Sequence, residues 1–436
     1  MMSMSPRRKR WLKITSKRWQ RQAIFLLGGV AVGAAAVALA DLADQAQHAF
    51  NLLLAKSRYA SLVVTPLGFA LSVFLTIRYF PNAGGSGIPQ AIAARHLTDT
   101  NARSPLVSIR IAIGKVVLTL LGLLCGASVG REGPTVQVGA SIMFALGRLS
   151  PRRQPGLILA GAAAGVAAAF NTPLAGIVFG IEEMSRAFET RTSSLVIGTV
   201  IAAGLTSLAL MGNYAYFGST PVALQQGIDW LAIPICGIIG GAMGGLFSRI
   251  LIIMARGVAH PAVRALKRQP MLFALLCGLA VAICGLASGD MIYGTGYAQV
   301  KSALETGTPL PQNFGVLKFL ATTFAAISGI PGGIFAPSLA VGAGIGANVA
   351  TFFHDTPLAP IMLLGMVSYF AGVVQAPITA FVIVTEMTDN HAMVVPLMTA
   401  SLIAYGTSRL ICEEGLYHAL AKGFVAKAET PEAPKA

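Results

Sequence analysis

Gly85-Ser86-Gly87-Ile88-Pro89, Gly130-Arg131-Glu132-Gly133-Pro134 and Gly333-Ile334-Phe335-Ala336-Pro337 repeat one pattern, Gly-x-x-x-Pro, at the edge of apolar segments. Proline is favoured at the first helical position, and glycine permits irregular backbone just before it. Each stretch therefore predicts a helix start whose first N–H groups have no partner within the helix. Those groups and the helix dipole make such a start a ready site for an anion. Three starts in one apolar chain predict a buried anion site built from broken helices.

The apolar character is pronounced. Of 436 residues, 55% are hydrophobic and only 11% charged, against about 25% charged in soluble domains. Charge-poor stretches recur at 23–40, 60–77, 192–228, 231–248, 272–289, 319–353 and 356–385. A spanning helix needs about 20 apolar residues, so the longest stretches have room for two helices. Gly and Pro interrupt several of them, which a bilayer tolerates only where the freed backbone is buried or lines a cavity. The net charge of +15 is partly local: Arg7, Arg8, Lys9, Arg10, Lys13, Lys17, Arg18 and Arg21 precede the first apolar run with no acid among them. A basic flank before a first span marks the cytoplasmic side, a better reading than nucleic-acid binding. Trp11 and Trp19 suit an interface, and no cleavable signal peptide is evident. The five cysteines form no Cys-x-x-Cys and the six histidines no His-x-x-x-His; neither metal, disulfide nor cofactor is expected.

The chain repeats itself. Lys115, Thr119, Gly130, Pro134, Val138, Gly139 and Ala140 match Lys318, Thr322, Gly333, Pro337, Val341, Gly342 and Ala343 at one constant offset. A second set follows, in which Ala164-Gly165-Val166, Pro173 and Glu183-Met184 echo Ala371-Gly372-Val373, Pro377 and Glu386-Met387. Two related halves with broken helices at matching places are a transporter signature. The expected organisation is a basic cytoplasmic segment at 1–22, membrane repeats at 23–215 and 228–422, and a polar cytoplasmic tail at 423–436, disordered from Phe424.

GSGIP at 85–89, GREGP at 130–134, GIFAP at 333–337, EMTDN at 386–390 and Leu416-Tyr417, in that order and with the repeat, resemble the CLC family of chloride channels and proton-coupled chloride transporters. The likeness runs from about Ile24 to Leu420. It implies an all-α polytopic membrane protein of two inverted-topology repeats with tilted and broken helices. It also implies a homodimer with one ion pathway per subunit, in the cell's inner membrane, with both termini cytoplasmic.

The residues themselves carry the next step. Ser86 places a hydroxyl at a helix mouth, although an ordinary N-cap serine would look the same. Neutral dipoles hold an anion without trapping it, which turnover requires. Glu132 is itself an anion inside an anion-binding motif. Deprotonated, it occupies the site; protonated, it withdraws, which couples proton to anion occupancy. A charge that merely satisfies a helix dipole is the bland alternative. Arg131 beside it is read as a positioning or electrostatic residue. Glu183 is an acid in a membrane segment, and such acids are functional by default; Glu182 is placed to pair with Arg186 by i,i+4 spacing, or to assist proton access. Tyr417 offers a second hydroxyl, with an interfacial aromatic as the alternative. Ile334, Phe335 and the Ala336 backbone are placed along the pathway, and Lys115 and Lys318 either add positive potential or snorkel.

The resemblance assigns roles to these positions. It makes Ser86, Ile334, Phe335 and Tyr417 the anion site, Glu132 the gate and Glu183 the inner proton acceptor of the transporter branch. The implied activity is exchange of chloride for protons, with chloride as substrate and no catalytic chemistry. Gln90 and Ile92 depart from transporter relatives, which often carry acids after GSGIP. The alternatives are a passive chloride channel on the same fold, fluoride export, and an intramembrane protease read from Gly84-Gly85-Ser86-Gly87, which needs a histidine base.

Overall fold

The computed structural model describes residues 6–185, 190–212, 215–225, 227–258 and 260–429. The first half runs α1 (Pro6–Lys56), α2 (Ser61–Tyr79), α3 (Ile88–His96), α4 (Thr100–Val107), α5 (Ile109–Leu124), α6 (Glu132–Leu146), α7 (Gln154–Phe170), α8 (Pro173–Phe179) and α9 (Thr190–Met211). The second runs α10 (Ala232–Arg256), α11 (Pro261–Lys267), α12 (Pro270–Ala287), α13 (Tyr297–Thr306), α14 (Phe314–Ile327), α15 (Phe335–Ala350), α16 (Leu358–Val374), α17 (Pro377–Thr388), α18 (Val394–Ile411) and α19 (Leu416–Glu429). Among the described residues, seven helices are long and apolar enough to span a membrane. Two of these, Thr100–Leu124 and His391–Ile411, lie outside the charge-poor stretches. Arg103, Arg110 and Lys115 hide the first in a charge count, whereas the second is charge-free from 392 to 408 and is legible in the sequence.

Two of the long apolar runs, 319–353 and 356–385, are broken as expected, into α14 and α15 and into α16 and α17. α7 and α16 form the buried centre. α7 is built of Ala and Gly, small residues that let helices cross closely without a hydrophobic drive from water. Each central helix ends on a left-handed residue, Asn171 (φ 56°) or Gln375 (φ 55°). Each is then followed by a proline, Pro173 or Pro377, that opens the next helix. The same pairings recur in both halves: α6 packs on α7 as α15 packs on α16, and α1 on α9 as α10 on α18.

Reciprocal bonds show that the halves are related by a two-fold axis. The Glu182 carboxylate accepts the Ile378 and Thr379 N–H groups (3.1 and 2.6 Å), capping α17. The Glu386 carboxylate accepts the Leu174 and Ala175 N–H groups (3.1 and 2.7 Å), capping α8. Each half thus supplies the cap for the other half's helix. This corrects the register of the second repeat set, because Glu182 and not Glu183 is the counterpart of Glu386. Similarly Gly161 meets Gly139 as Gly365 meets Gly342, which displaces the Ala-Gly-Val match. Glu182 caps α17; Arg186, its proposed partner, lies outside the described residues.

α1 continues without a break through residue 23. The tail expected to be disordered from Phe424 is helical to Glu429. Ala, Lys and Glu are strong helix formers, so the polar composition after 423 does not stop the helix. α19 is clamped at its start. Glu414 accepts from Arg256 Nη2 (2.7 Å to each oxygen) and from Lys422 Nζ (2.8 Å), tying the ends of α10 and α18 to α19. Those two cations hold its pKa down at about 2.

Removing a carboxylate cap costs about 1–2 kcal/mol. Glu182→Ala and Glu386→Ala are each expected to lower the thermal midpoint in detergent by roughly 2–4 °C, by similar amounts because the caps are related by symmetry. Unchanged midpoints in both variants would remove the caps from the account of stability.

Candidate functional site: three helix starts around one junction

The three Gly-x-x-x-Pro linkers meet and are joined by main-chain bonds. Gly130 and Gly333, equivalent positions of the repeat, exchange N–H···O bonds of 2.7 Å in both directions. Gly85 N–H donates to the Ile330 carbonyl (3.1 Å), and Gly332 N–H donates to the Gly85 carbonyl (3.0 Å). α3, α6 and α15 therefore all begin at one junction, with their unpaired first amides gathered there. The approach is close enough to demand glycine. A Cβ on Gly133 would stand 2.7 Å from the Ser86 carbonyl oxygen and 3.2 Å from the Gly333 Cα. Gly87, which precedes α3, has φ 98°, a conformation that favours glycine.

Side chains turn the linker carbonyls away from the junction. Lys115, fully buried, donates to the Gly85 and Gly84 carbonyls (2.8 and 3.4 Å). Gln90 Nε2 donates to the Gly84 and Asn82 carbonyls (2.7 and 3.2 Å), and Gln137 Nε2 donates to those of Leu106 and Asn82 (2.8 and 3.3 Å). Carbonyl dipoles repel an anion, so tying them back leaves amide dipoles to define the site. Lys318 acts likewise on the Ile292 and Gly294 carbonyls (2.8 and 2.7 Å). Both lysines are fully buried, so neither snorkels. Gln90, the departure noted in the sequence, and Gln137, which sequence reasoning missed, are polar supports of this loop.

Ser86, Ile334 and Tyr417 line one cavity of about 180 Å³, together with Gly332, Met254 and Lys267. Ser86 Oγ accepts the Ile88 N–H (3.3 Å); the serine is thus a cap and a lining residue at once. The Tyr417 hydroxyl is fully buried and turned toward Ser86. Phe335 packs behind this wall. Its ring lies 6.0 Å from that of Tyr417, parallel to Phe170 at 6.3 Å, and edge-on to Phe179 and Phe370 at 5.9 and 4.8 Å. Three of the four expected anion residues thus share the cavity, while Phe335 supports it.

Glu132 lies at the junction rather than on the cavity wall. It is fully buried as the first residue of α6, and its carboxylate rests against Gly130. It leans toward its own amide and that of Ala336, yet neither oxygen completes a hydrogen bond with a described group. Arg131 points the other way, donating to the Ala40 carbonyl and pairing with Asp44 of α1 at 2.6 Å.

Glu183, 3% exposed, sits in a π-helical turn, Gly180–Ser185, that continues α8. Such turns often mark functional sites. Successive helical residues point about 100° apart, so Glu182 reaches α17 while Glu183 faces inward. His418, next to Tyr417, brings Nε2 to 2.7 Å from the Glu183 carbonyl oxygen and 3.8 Å from Oε1. Its only sequence signal is adjacency to Tyr417, and sequence reasoning passed over it. The imidazole therefore meets Glu183, while Ser86 serves a helix start; the protease arrangement is not formed.

Fold and site together define a polytopic helical protein with an anion cradle at an inverted-repeat junction. The chain matches the voltage gated chloride channel family over residues 67–409, and it belongs to that family. It is 33% identical to the H(+)/Cl(-) exchange transporter ClcA of Yersinia pseudotuberculosis serotype IB, covering 93% of this chain and 88% of that protein. ClcA of Klebsiella pneumoniae is 31% identical, covering 86% and 82%. Among solved structures, a slow cyanobacterial Cl-/H+ antiporter superposes with a TM-score of 0.76 at 26% identity, covering 93% of this chain and 97% of that one. A CLC-type fluoride/proton antiporter shares the fold at 23% identity and TM-score 0.75, covering 92% and 97%.

Gly133→Ala is expected to push the linkers apart at an overpacking cost of about 1–3 kcal/mol. The expected readout is chloride affinity weakened on the order of tenfold by titration calorimetry, with helix content unchanged. Wild-type affinity would show that the α3–α6 contact does not shape the site.

Proposed function

We propose that this protein is a secondary active transporter that exchanges chloride for protons in opposite directions. The observation that carries the reading is the position of Glu132, a fully buried carboxylate at the junction where the amides of α6 and α15 converge. Ionised, its negative charge competes with chloride for those dipoles. Protonated, it loses their attraction and yields the place to the anion. Ser86, Tyr417 and the Ile334–Phe335 backbone form the central chloride site, where neutral donors bind without trapping. Glu183 accepts protons from the inner side, and a proton on it has no task in a passive channel. The relatives named as exchange transporters support the same reading.

Membership of a bacterial-type inner membrane with both termini cytoplasmic fits the basic start of α1 and the cations Arg256, Arg264, Lys267 and Arg268. A homodimer fits the surface around α8 and α17, helices of 7 and 12 residues that are too short to span. Leu174, Ile378, Leu205 and Leu402 are exposed there. The Glu182 and Glu386 carboxylates are only partly covered, and charge facing lipid is costly. A second subunit would cover it.

In proteoliposomes, Glu132→Gln is expected to abolish proton movement while chloride still flows, nearly independent of pH. Proton uptake persisting at wild-type coupling in this variant would overturn the assignment of the gate.

A further inference from the structure

We infer that His418 relays protons between cytoplasmic water and the Glu183 carboxyl. The inference rests on the reading of Glu183 as the inner proton acceptor and extends it by one step. α19 begins at Leu416, and its second and third residues point about 100° apart. Tyr417 faces the anion cavity while His418 faces the π-helical turn. The imidazole keeps 17% of its side-chain surface exposed, and the Glu183 side chain keeps 3%. His418 therefore bridges a wet surface and a buried acid.

The geometry fixes how the ring works. Nε2 is 2.7 Å from the Glu183 carbonyl oxygen, so in the neutral ring Nε2 carries the hydrogen and Nδ1 keeps its lone pair. Oε1 of the same residue is 3.8 Å away, within reach of a small side-chain rotation or one bridging water. A proton from cytoplasmic water bonds to Nδ1 and gives imidazolium. The Nε2–H bond then breaks as an Oε1–H bond forms on Glu183. The ring is left neutral with its hydrogen on Nδ1, and exchange with water restores the first tautomer. The reverse sequence releases a proton to the cytoplasm. Histidine is suited to this because its charge changes near neutral pH.

The surrounding groups leave His418 and Glu183 to set the pH response. On α3, Arg95 donates to the Met184 carbonyl and to Ser185 Oγ (each 3.0 Å), holding the turn in place with a fixed charge. His96 ends the same helix, and burial together with Arg95 pushes its pKa down. α10 contributes Arg249 and Arg256, and α16 contributes only the buried Tyr369. Glu182 is committed to the α17 amides. On the linker and α19 stand Glu413, Glu414 and Lys422; Glu414, held at about 2, stays ionised throughout the working range. Its pKa lies below the usual 4.5, so the clamp on Arg256 and Lys422 would loosen only in strong acid.

A purely structural His418 would dock α19 through its bond to the Glu183 carbonyl, and glutamine preserves such a donor. His418→Gln therefore separates the two roles. Proteoliposomes carrying wild type, His418→Gln, His96→Gln and Glu183→Gln are compared for proton flux driven by a chloride gradient, at cytoplasmic-side pH from 5.5 to 8. The expected result is coupled proton flux slowed on the order of tenfold in His418→Gln, most at high pH. Its pH profile should lose the step near neutrality, and the step should remain in His96→Gln. Chloride affinity by calorimetry should stay at the wild-type value. Imidazole in the cytoplasmic-side buffer should partly restore flux to His418→Ala, a second variant that serves if the glutamine variant fails to fold. A wild-type rate and pH profile in His418→Gln, with Glu183→Gln uncoupled, would overturn the relay and leave Glu183 in place. Full coupling in Glu183→Gln would overturn the underlying reading and the relay with it.

Discussion

The structure depends on the two main-chain hydrogen bonds that Gly130 and Gly333 exchange across the pseudo-two-fold axis. They join the two halves where each chain segment is neither helix nor strand. In a membrane such backbone has no water to satisfy it, so it persists only where the protein itself supplies partners. Here the repeat supplies them: each half completes the other. The carboxylates of Glu182 and Glu386 do the same for the starts of α17 and α8. One axis thus relates two kinds of bond, one on the ion pathway and one at the surface proposed to pair subunits.

From that junction the site follows by elimination of the wrong dipoles. Helix starts direct N–H groups inward, while Lys115, Gln90 and Gln137 hold the linker carbonyls back. What remains at the junction is a set of amides and hydroxyls that suits an anion, while Lys267 on the cavity wall directs its ammonium group to the Met254 carbonyl. The buried Lys115 and Lys318 direct their amino groups at carbonyls and not into the cavity. Glu132 is the fully buried carboxylate at this place, which is why the proposed exchange assigns the control of anion access to its protonation.

Most of this organisation is legible in the sequence because the Gly-x-x-x-Pro pattern encodes both the break and the restart of a helix. Three copies, two of them at matching places of the repeat, announce the junction and, with it, Ser86, Glu132, Ile334 and Phe335. The register of the second repeat set was misread. Glu183-Met184 and Glu386-Met387 are identical dipeptides, but it is Glu182 that stands as far from Pro173 as Glu386 does from Pro377. Local identity there competed with position, and only the reciprocal caps show which acid is equivalent. His418 left no pattern at all. Its role comes from α19 returning to α3 and the Glu183 turn, a contact between distant parts of the chain that no periodicity records. The helical stretch past Phe424 escapes a composition reading for a simpler reason, since charged residues are good helix formers and polarity alone does not end a helix.

The most direct test of coupled exchange is simultaneous recording of chloride and proton movement from proteoliposomes of the wild-type protein, with a chloride gradient and no initial pH difference. The account requires outward chloride flow to drive protons inward, against the gradient that builds, in fixed ratio to the chloride moved. Chloride efflux with no accompanying proton movement would contradict it and would make the protein a passive conductor on the same fold.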